Sequence, residues 1–370
     1  MQVLITGGAG FIGSHLVDAL IASGHQVRVI DCLDPQVHEG KTPSYLNPHA
    51  DYAWGDVRDR DLLRRTLKGI EVIFHEAAAV GVGQSMYQIE RYVQANVVGT
   101  AVLLDVIVND RLPIKKLIVA SSMSIYGEGR YRCASCGPVF PSLRAEAQLK
   151  ARQWEMTCPL CRTPVTPEPT PEAQPLAPTS VYAVSKRDQE ELCLCVGRSY
   201  HVPTVALRYF NVYGPRQALS NPYTGVCAIF SARIKNHHPP LLFEDGQQSR
   251  DFIHVSDIVR ANLLVMSDPR AADQVFNVGT GMSTSIGEVA QLLNQLYRGS
   301  QAPSLNQTYR AGDIRHCYGS IQAIRGLGFA PHVTLRDGLH ALVKWGREQA
   351  AEDRVEAATK ELEAYGLTSG

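Results

Sequence analysis

Three glycines, Gly7, Gly10 and Gly13, stand between an apolar run, QVLIT, and a helical pattern, FIGSHLVDALIASG. A glycine turn in that place lets the backbone touch a pyrophosphate, whose charge is met by free N–H groups and by the positive end of the helix that follows. The chain is thereby committed at its start to a strand, a tight turn and a helix. The same rhythm continues through QVRVID, DLLRRTLKG, EVIFHEAA, NVVGTAVLLDVIVND and KKLIVASS. Short β-branched runs alternating with helical patterns predict a Rossmann-type, doubly wound parallel sheet of the α/β class.

Asp31 closes the second strand eighteen residues after Gly13. A carboxylate there accepts hydrogen bonds from both ribose hydroxyls and repels a 2′-phosphate, which favours NAD over NADP. The glycine loop, with Phe11 and Ile12 between Gly10 and Gly13, is the candidate cofactor cradle. Asp56 and Val57 in GDVRD are candidates for the adenine end, and Ala77, Ala78 and Ala79 are small enough at a strand end for close cofactor approach.

Lys+Arg and Asp+Glu both number 36 in 370 residues, so no bulk field would recruit nucleic acid or an anionic membrane. No apolar run reaches the roughly 18 residues of a membrane helix, and no signal segment opens the chain. The expectation is a soluble, cytoplasmic protein that handles a small molecule.

Nine cysteines in a reducing compartment are not a disulfide framework. Four of them form two C-x-x-C pairs, Cys133/Cys136 and Cys158/Cys161, with 21 residues between the pairs. That spacing suits four thiolates around a structural Zn2+, with no open position for catalysis. The pairs lie in residues 129–178, which break the α/β rhythm and end in CRTPVTPEPTPEAQPLAP, a tail that should bury little and remain loop.

The chain is expected to divide into a Rossmann domain (1–128), a zinc-binding insertion (129–178), the rest of the Rossmann domain (179–220), a smaller substrate lobe (221–352) from which some segments return to the sheet, and a charged, fraying surface helix with its tail (353–370).

Tyr182 and Lys186 in SVYAVSK are spaced i, i+4 and share one helical face. An ammonium beside a phenol stabilises the phenolate, giving a general base. Ser122, in IVASSMSIYG, is placed to hydrogen-bond the oxygen whose proton Tyr182 removes.

The glycine triplet, SSMSIYG, Tyr182-x-x-x-Lys186, LRYFNVYGPRQ and RDFIHVSD, in this order, resemble the extended short-chain dehydrogenase/reductase family, in its nucleotide-sugar epimerase/dehydratase branch. The resemblance implies Ser122, Tyr182 and Lys186 as the catalytic set, with Tyr182 and Lys186 also reaching the cofactor and Asn96 among the cofactor residues. It implies Ser122, Ser124, Asn211 and Phe243 on the substrate, Arg250 and Arg310 clamping its diphosphate, and Cys317 tuning the room around the sugar. It also implies a homodimer that pairs the helix beginning near Asn96 with the helix of Tyr182.

Dehydratases of this branch carry an Asp-Glu pair after the catalytic hydroxyl, and decarboxylating relatives a glutamate two residues on. Met123 and Ser124 stand there, which disfavours both reactions. The expectation is an NAD-dependent 4-epimerase acting on a dTDP- or UDP-hexose, dTDP-L-rhamnose being one such substrate. A 4-keto-sugar reductase and a non-catalytic Rossmann scaffold are the alternatives.

Overall fold

The computed structural model describes residues 1–310 and 312–369. Its centre is a seven-stranded parallel sheet formed by β1 (Gln2–Thr6), β2 (Gln26–Asp31), β3 (Asp51–Trp54), β4 (Val72–His75), β5 (Lys116–Ser122), β6 (Thr204–Tyr209) and β7 (Gln274–Val278). The strand order is β7-β6-β5-β4-β1-β2-β3. β1 pairs with β2 on one side and with β4 on the other, Ile5 facing Val29 and Phe74. The order reverses there, and a crevice opens beyond the carboxyl ends of β1 and β4.

Strands β4, β5 and β6 are buried at every residue, as a sheet covered on both faces requires. The helices Phe11–Ala22 and Val255–Ser267 cover one face, where Leu16, Leu20, Ile258 and Val265 enter the core. Arg60–Thr66, Ile89–Asn109 and Val181–Tyr200 cover the other, with Leu63, Leu103, Ile107 and Leu194. A second lobe packs Phe230, Leu293, Leu339 and Leu342 between the helices Val226–Lys235, Ile286–Tyr297 and Leu335–Arg347.

Three expectations are corrected. By length and composition alone, the continuous helix Ile89–Asn109 is long and apolar enough to cross a membrane, because two short helices, Ile89–Tyr92 and Gly99–Asn109, join through a π-turn at Val93–Val98. Leu103, Leu104 and Ile107 of this helix are spent on the core of the sheet.

The Pro-rich tail of the insertion is not loose loop. Thr166–Glu168 forms a strand beside Arg130–Cys133, which also pairs with Gly137–Val139, and Tyr131, Val139, Met156 and Val165 make a small core there. Beyond it Thr170 is fully buried. Glu172 Oε1 accepts the N–H of Asn277 at 2.9 Å, and the Asn277 amide donates to the Thr170 carbonyl, also at 2.9 Å. The tail is therefore a strap over the β7 edge, whose backbone groups would otherwise be unpaired.

The C-terminal helix does not fray. Val355–Ala364 buries Val355, Ala358 and Leu362, an i, i+3, i+7 stripe, and Thr368–Ser369 pairs antiparallel with Tyr309–Arg310.

Candidate active site

The glycine turn and the end of β4 touch. Gly7 sits at φ +73°, and a Cβ there would lie 2.9 Å from Ala77 Cα; a Cβ on Gly13 would lie 2.3 Å from the Gly7 carbonyl oxygen. Only hydrogen fits, and Phe11 and Ile12 start the helix directly behind. Asp31 is buried and accepts the amides of Ala9 at 3.0 Å and Leu33 at 2.8 Å, so one carboxylate fastens the turn and faces the crevice. This cradle fits a dinucleotide.

Asp56 is held below the usual carboxylate range by its hydrogen bonds and ion pair with Arg58. Val57 packs beneath Gly99. Asn96 is fully buried in the π-turn, and its amide is spent on the backbone of Ala79 (2.7 and 3.0 Å) and on Ser185 (2.8 Å). It positions the small-residue strand end, and both of its amide hydrogens are used within the protein.

Ser122 ends β5, where Ser121 Oγ donates to Glu190 at 2.6 Å and Arg208 braces the same carboxylate. Tyr182 and Lys186 are one turn apart near the start of their helix. Ser180 caps that helix by accepting the Ala183 N–H, and Ser85 Oγ accepts the N–H of Tyr182 at 3.0 Å. Burial pushes the Tyr182 phenol up, and its hydrogen bond with Ser122 pulls it back.

Burial brings the Lys186 ammonium down to about 8, opposed by the charge of Glu76. Its Nζ donates to Gln189 Oε1 at 2.7 Å. The ammonium, one turn from the phenol, is thus held by the carbonyl oxygen three residues on, in a buried polar cluster where the Gln189 amide also meets His75 and Thr100. Glu76 itself, pushed up to about 7 by burial, accepts from the Tyr209 hydroxyl at 2.8 Å.

Ser124, Asn211, Arg250 and Arg310 line one cleft, and Ser124 Oγ donates to Ser122 Oγ at 2.9 Å. Among the described residues, Asn211 Oδ1 and Arg310 Nε are buried without a hydrogen-bond partner, polar groups that a diphosphate and its sugar would satisfy. Arg250 already donates to the carbonyls of Ile314 and Arg315 at 2.7 and 3.0 Å.

Two expected substrate residues lie elsewhere. The Phe243 ring supports the Arg310 guanidinium from 3.9 Å, outside the cleft lining, because cation–π stacking uses its face. Cys317 is buried with Met123, Tyr126 and Phe210 under the cleft floor. Gly83, Tyr223 and the C-terminal helix line the cleft without having been anticipated, since no motif marks them.

The four thiols Cys133, Cys136, Cys158 and Cys161 have all their sulfurs within 4.8 Å of one another. A tetrahedral ion with Zn–S bonds of about 2.3 Å needs sulfurs about 3.8 Å apart, so the cluster fits. The Thr163 hydroxyl and the amides of Cys136 and Ser135 hold the Cys133 thiol down to about 6.

The model of the NAD dependent epimerase/dehydratase family matches residues 3–143 and 159–279. A dTDP-L-rhamnose 4-epimerase of Burkholderia thailandensis is 34% identical over 93% of this chain and 94% of its own. The structure of a UDP-glucose 4-epimerase with UDP-glucose from Thermotoga maritima, 31% identical, superposes with a TM-score of 0.77 over 94% of this chain and 99% of the other. A Thermus thermophilus UDP-glucose 4-epimerase in complex with NAD, 28% identical, does so at 0.74 over 95% and 100%. With its glycine cradle, its Tyr182/Lys186 helix and a match that leaves only residues 144–158 of the first 279 unpaired apart from the two at the start, this chain belongs to the NAD-dependent epimerase/dehydratase family.

Proposed function

We propose that the protein is an NAD-dependent nucleotide-sugar 4-epimerase. The observation that carries this reading is the sharing of one cleft by Ser124, Asn211, Arg250 and Arg310, with Ser122 hydrogen-bonded to Ser124 beside it and no carboxylate at positions 123 and 124. Tyr182 takes the proton of the sugar C4 hydroxyl while Ser122 holds the oxygen, and returns it after the 4-keto sugar has turned over. NAD, when bound in the glycine cradle, supplies the hydride acceptor and donor. The arginines keep the diphosphate in place during the turn, so most of the binding lies away from the reacting carbon. Lys186, one turn from the phenol, favours its ionised form while the ammonium is protonated, and burial brings that ammonium down to about 8.

A dTDP- or UDP-hexose is the expected substrate, and the similarity to the rhamnose epimerase makes dTDP-L-rhamnose the first to try. The cysteine cluster is read as a structural Zn2+ site, with all four positions taken by protein sulfur. The purified protein, without added NAD, is incubated with UDP-, dTDP- and GDP-sugars and followed by NMR. Inversion at C4 without added cofactor is the expected result; reduction that consumes added NADH would make the enzyme a reductase instead.

A further inference from the structure

The C-terminal segment carries no motif, yet it forms one wall of the cleft. Val355, Ala358, Thr359 and Leu362 face the same space as Ser124 and Arg310. Leu362 lies over Gly83, where an added Cβ would come within 3.1 Å of Leu362 Cδ2. Gly83 belongs to the turn Val82–Ser85, whose Ser85 hydroxyl holds the N–H of Tyr182, so Leu362 sits at the reacting end of the cleft. At the other end, Thr368–Ser369 runs antiparallel to Tyr309–Arg310. One segment thus spans the cleft from the sugar end to the diphosphate end.

Its fastening runs from Tyr223 at the cleft wall outward to Tyr87, Glu361 and Tyr365. The Tyr365 ring stacks on Tyr87 with centroids 4.6 Å apart and planes 7° from parallel. The Tyr87 and Tyr223 hydroxyls are 2.6 Å apart, and Tyr223 donates to Glu361 at 2.5 Å. The inward side chains are small or apolar, and the outward ones make the polar latch.

We propose that residues 355–369 are a specificity wall, which contacts the sugar through Leu362 and Thr359 and is held shut by the Tyr87–Tyr223–Glu361–Tyr365 latch. The proposal rests on the reading of the cleft as a nucleotide-sugar site. Leu362 and Val82 offer no donor at that end, so a carboxylate set against them would lose its water without replacement, and a neutral, deoxygenated sugar face is preferred over a uronate.

The test is calorimetric binding to the NAD-containing enzyme of dTDP and UDP alone and of the matching deoxyhexose and uronic acid nucleotides. Leu362→Ala is expected to weaken nucleotide-sugar binding about tenfold or more and to leave the nucleoside diphosphates within about twofold. Unchanged sugar binding in Leu362→Ala overturns the wall alone. A wild-type protein that binds neither diphosphates nor their sugars overturns the reading of the cleft and the wall with it. Should Leu362→Ala not fold, Tyr365→Ala, altered only at an exposed ring, serves: trypsin cleavage after the exposed Lys360 is expected to be faster than in wild type. In wild type a bound nucleotide sugar slows that cleavage; unchanged or faster cleavage overturns the proposal.

Discussion

Arg144 and Glu244 meet in a bidentate ion pair, 2.8 Å at both contacts, with side chains only 2% and 1% exposed. Arg144 belongs to the cysteine-bearing insertion, and Glu244 precedes the strand of Arg250 in the second lobe. Arg315, buried completely, reaches the same Glu244 at 3.0 Å and extends to Asp245 and to Glu155 of the insertion. The excursion between Ser122 and Tyr182 is therefore anchored on the lobe that carries the arginine clamp. Removing Arg144 would leave Glu244 buried with half its neutralising charge. Arg144→Ala is expected to cost about 3–5 kcal/mol in denaturant unfolding; a loss below about 1 kcal/mol would show that the pair is not what holds the two parts together.

The cysteine cluster extends the same argument. Cys133 and Cys158 share the small core of Tyr131, Met156 and Val165, so an ion at the four sulfurs ties both ends of residues 133–161 to the element that presents Arg144 and Glu155. Cys158→Ser/Cys161→Ser is expected to lose zinc by elemental analysis and to raise KM several-fold while the bound NAD stays. Wild-type KM in a folded, zinc-free variant would separate the metal from the substrate site.

Tyr182→Phe keeps the ring packed against Tyr92 and removes only the hydroxyl. General acid–base groups contribute roughly 10²–10⁴-fold, so kcat is expected to fall by that factor with little change in nucleotide-sugar affinity. Because burial raises the phenol, wild-type kcat should climb with pH on its acid side, and that limb should be gone in the variant. A Tyr182→Phe enzyme retaining more than about a tenth of wild-type kcat would assign the base to another group.

The parts of this architecture legible in sequence are those set by local chemistry. Gly7 and Gly13 must be glycine because backbone atoms lie within 3 Å of where a side chain would start, and that demand shows in the order of a few neighbouring residues. The strand–helix alternation is legible for the same reason. The C-terminal wall was not, since an i, i+3, i+7 stripe among charges reads as surface until its partner Gly83 is brought to it from nearly three hundred residues away. For Phe243, Cys317 and Asn96 the motifs locate the element, but which way each side chain faces depends on packing that the motifs do not encode. The strap of Thr170 and Glu172 was hidden by its proline-rich composition, which predicts loop and carries no sign of the β7 edge it covers.

The outer faces of the two helices beside the cofactor crevice carry Ile89 and Val93 on one and Val184 on the other, exposed by 54%, 37% and 44%. A second copy of the chain packed helix to helix would cover all three. Ile89→Asp/Val184→Asp is expected to convert a dimer to a monomer in size-exclusion chromatography with light scattering. A wild-type monomer at micromolar concentration would leave those residues exposed for another reason.

Glu76 offers a pH signature that needs no substrate. Burial raises its carboxyl from the usual range to about 7, with Tyr209 and the Lys186 charge pulling the other way. In the unfolded chain it titrates near 4.5, so between about 4.5 and 7 the folded form binds more protons than the unfolded one. Stability from this group is complete below about 4.5 and is lost as pH rises through about 7. Glu76→Gln keeps an acceptor for the Tyr209 hydroxyl and removes the titration. The difference in Tm between variant and wild type is expected to grow in the variant's favour from pH 5 to pH 8. A difference constant across that range would mean that Glu76 ionises in the folded protein as it does in water, and that the Lys186 ammonium holds it charged beside the cofactor cradle.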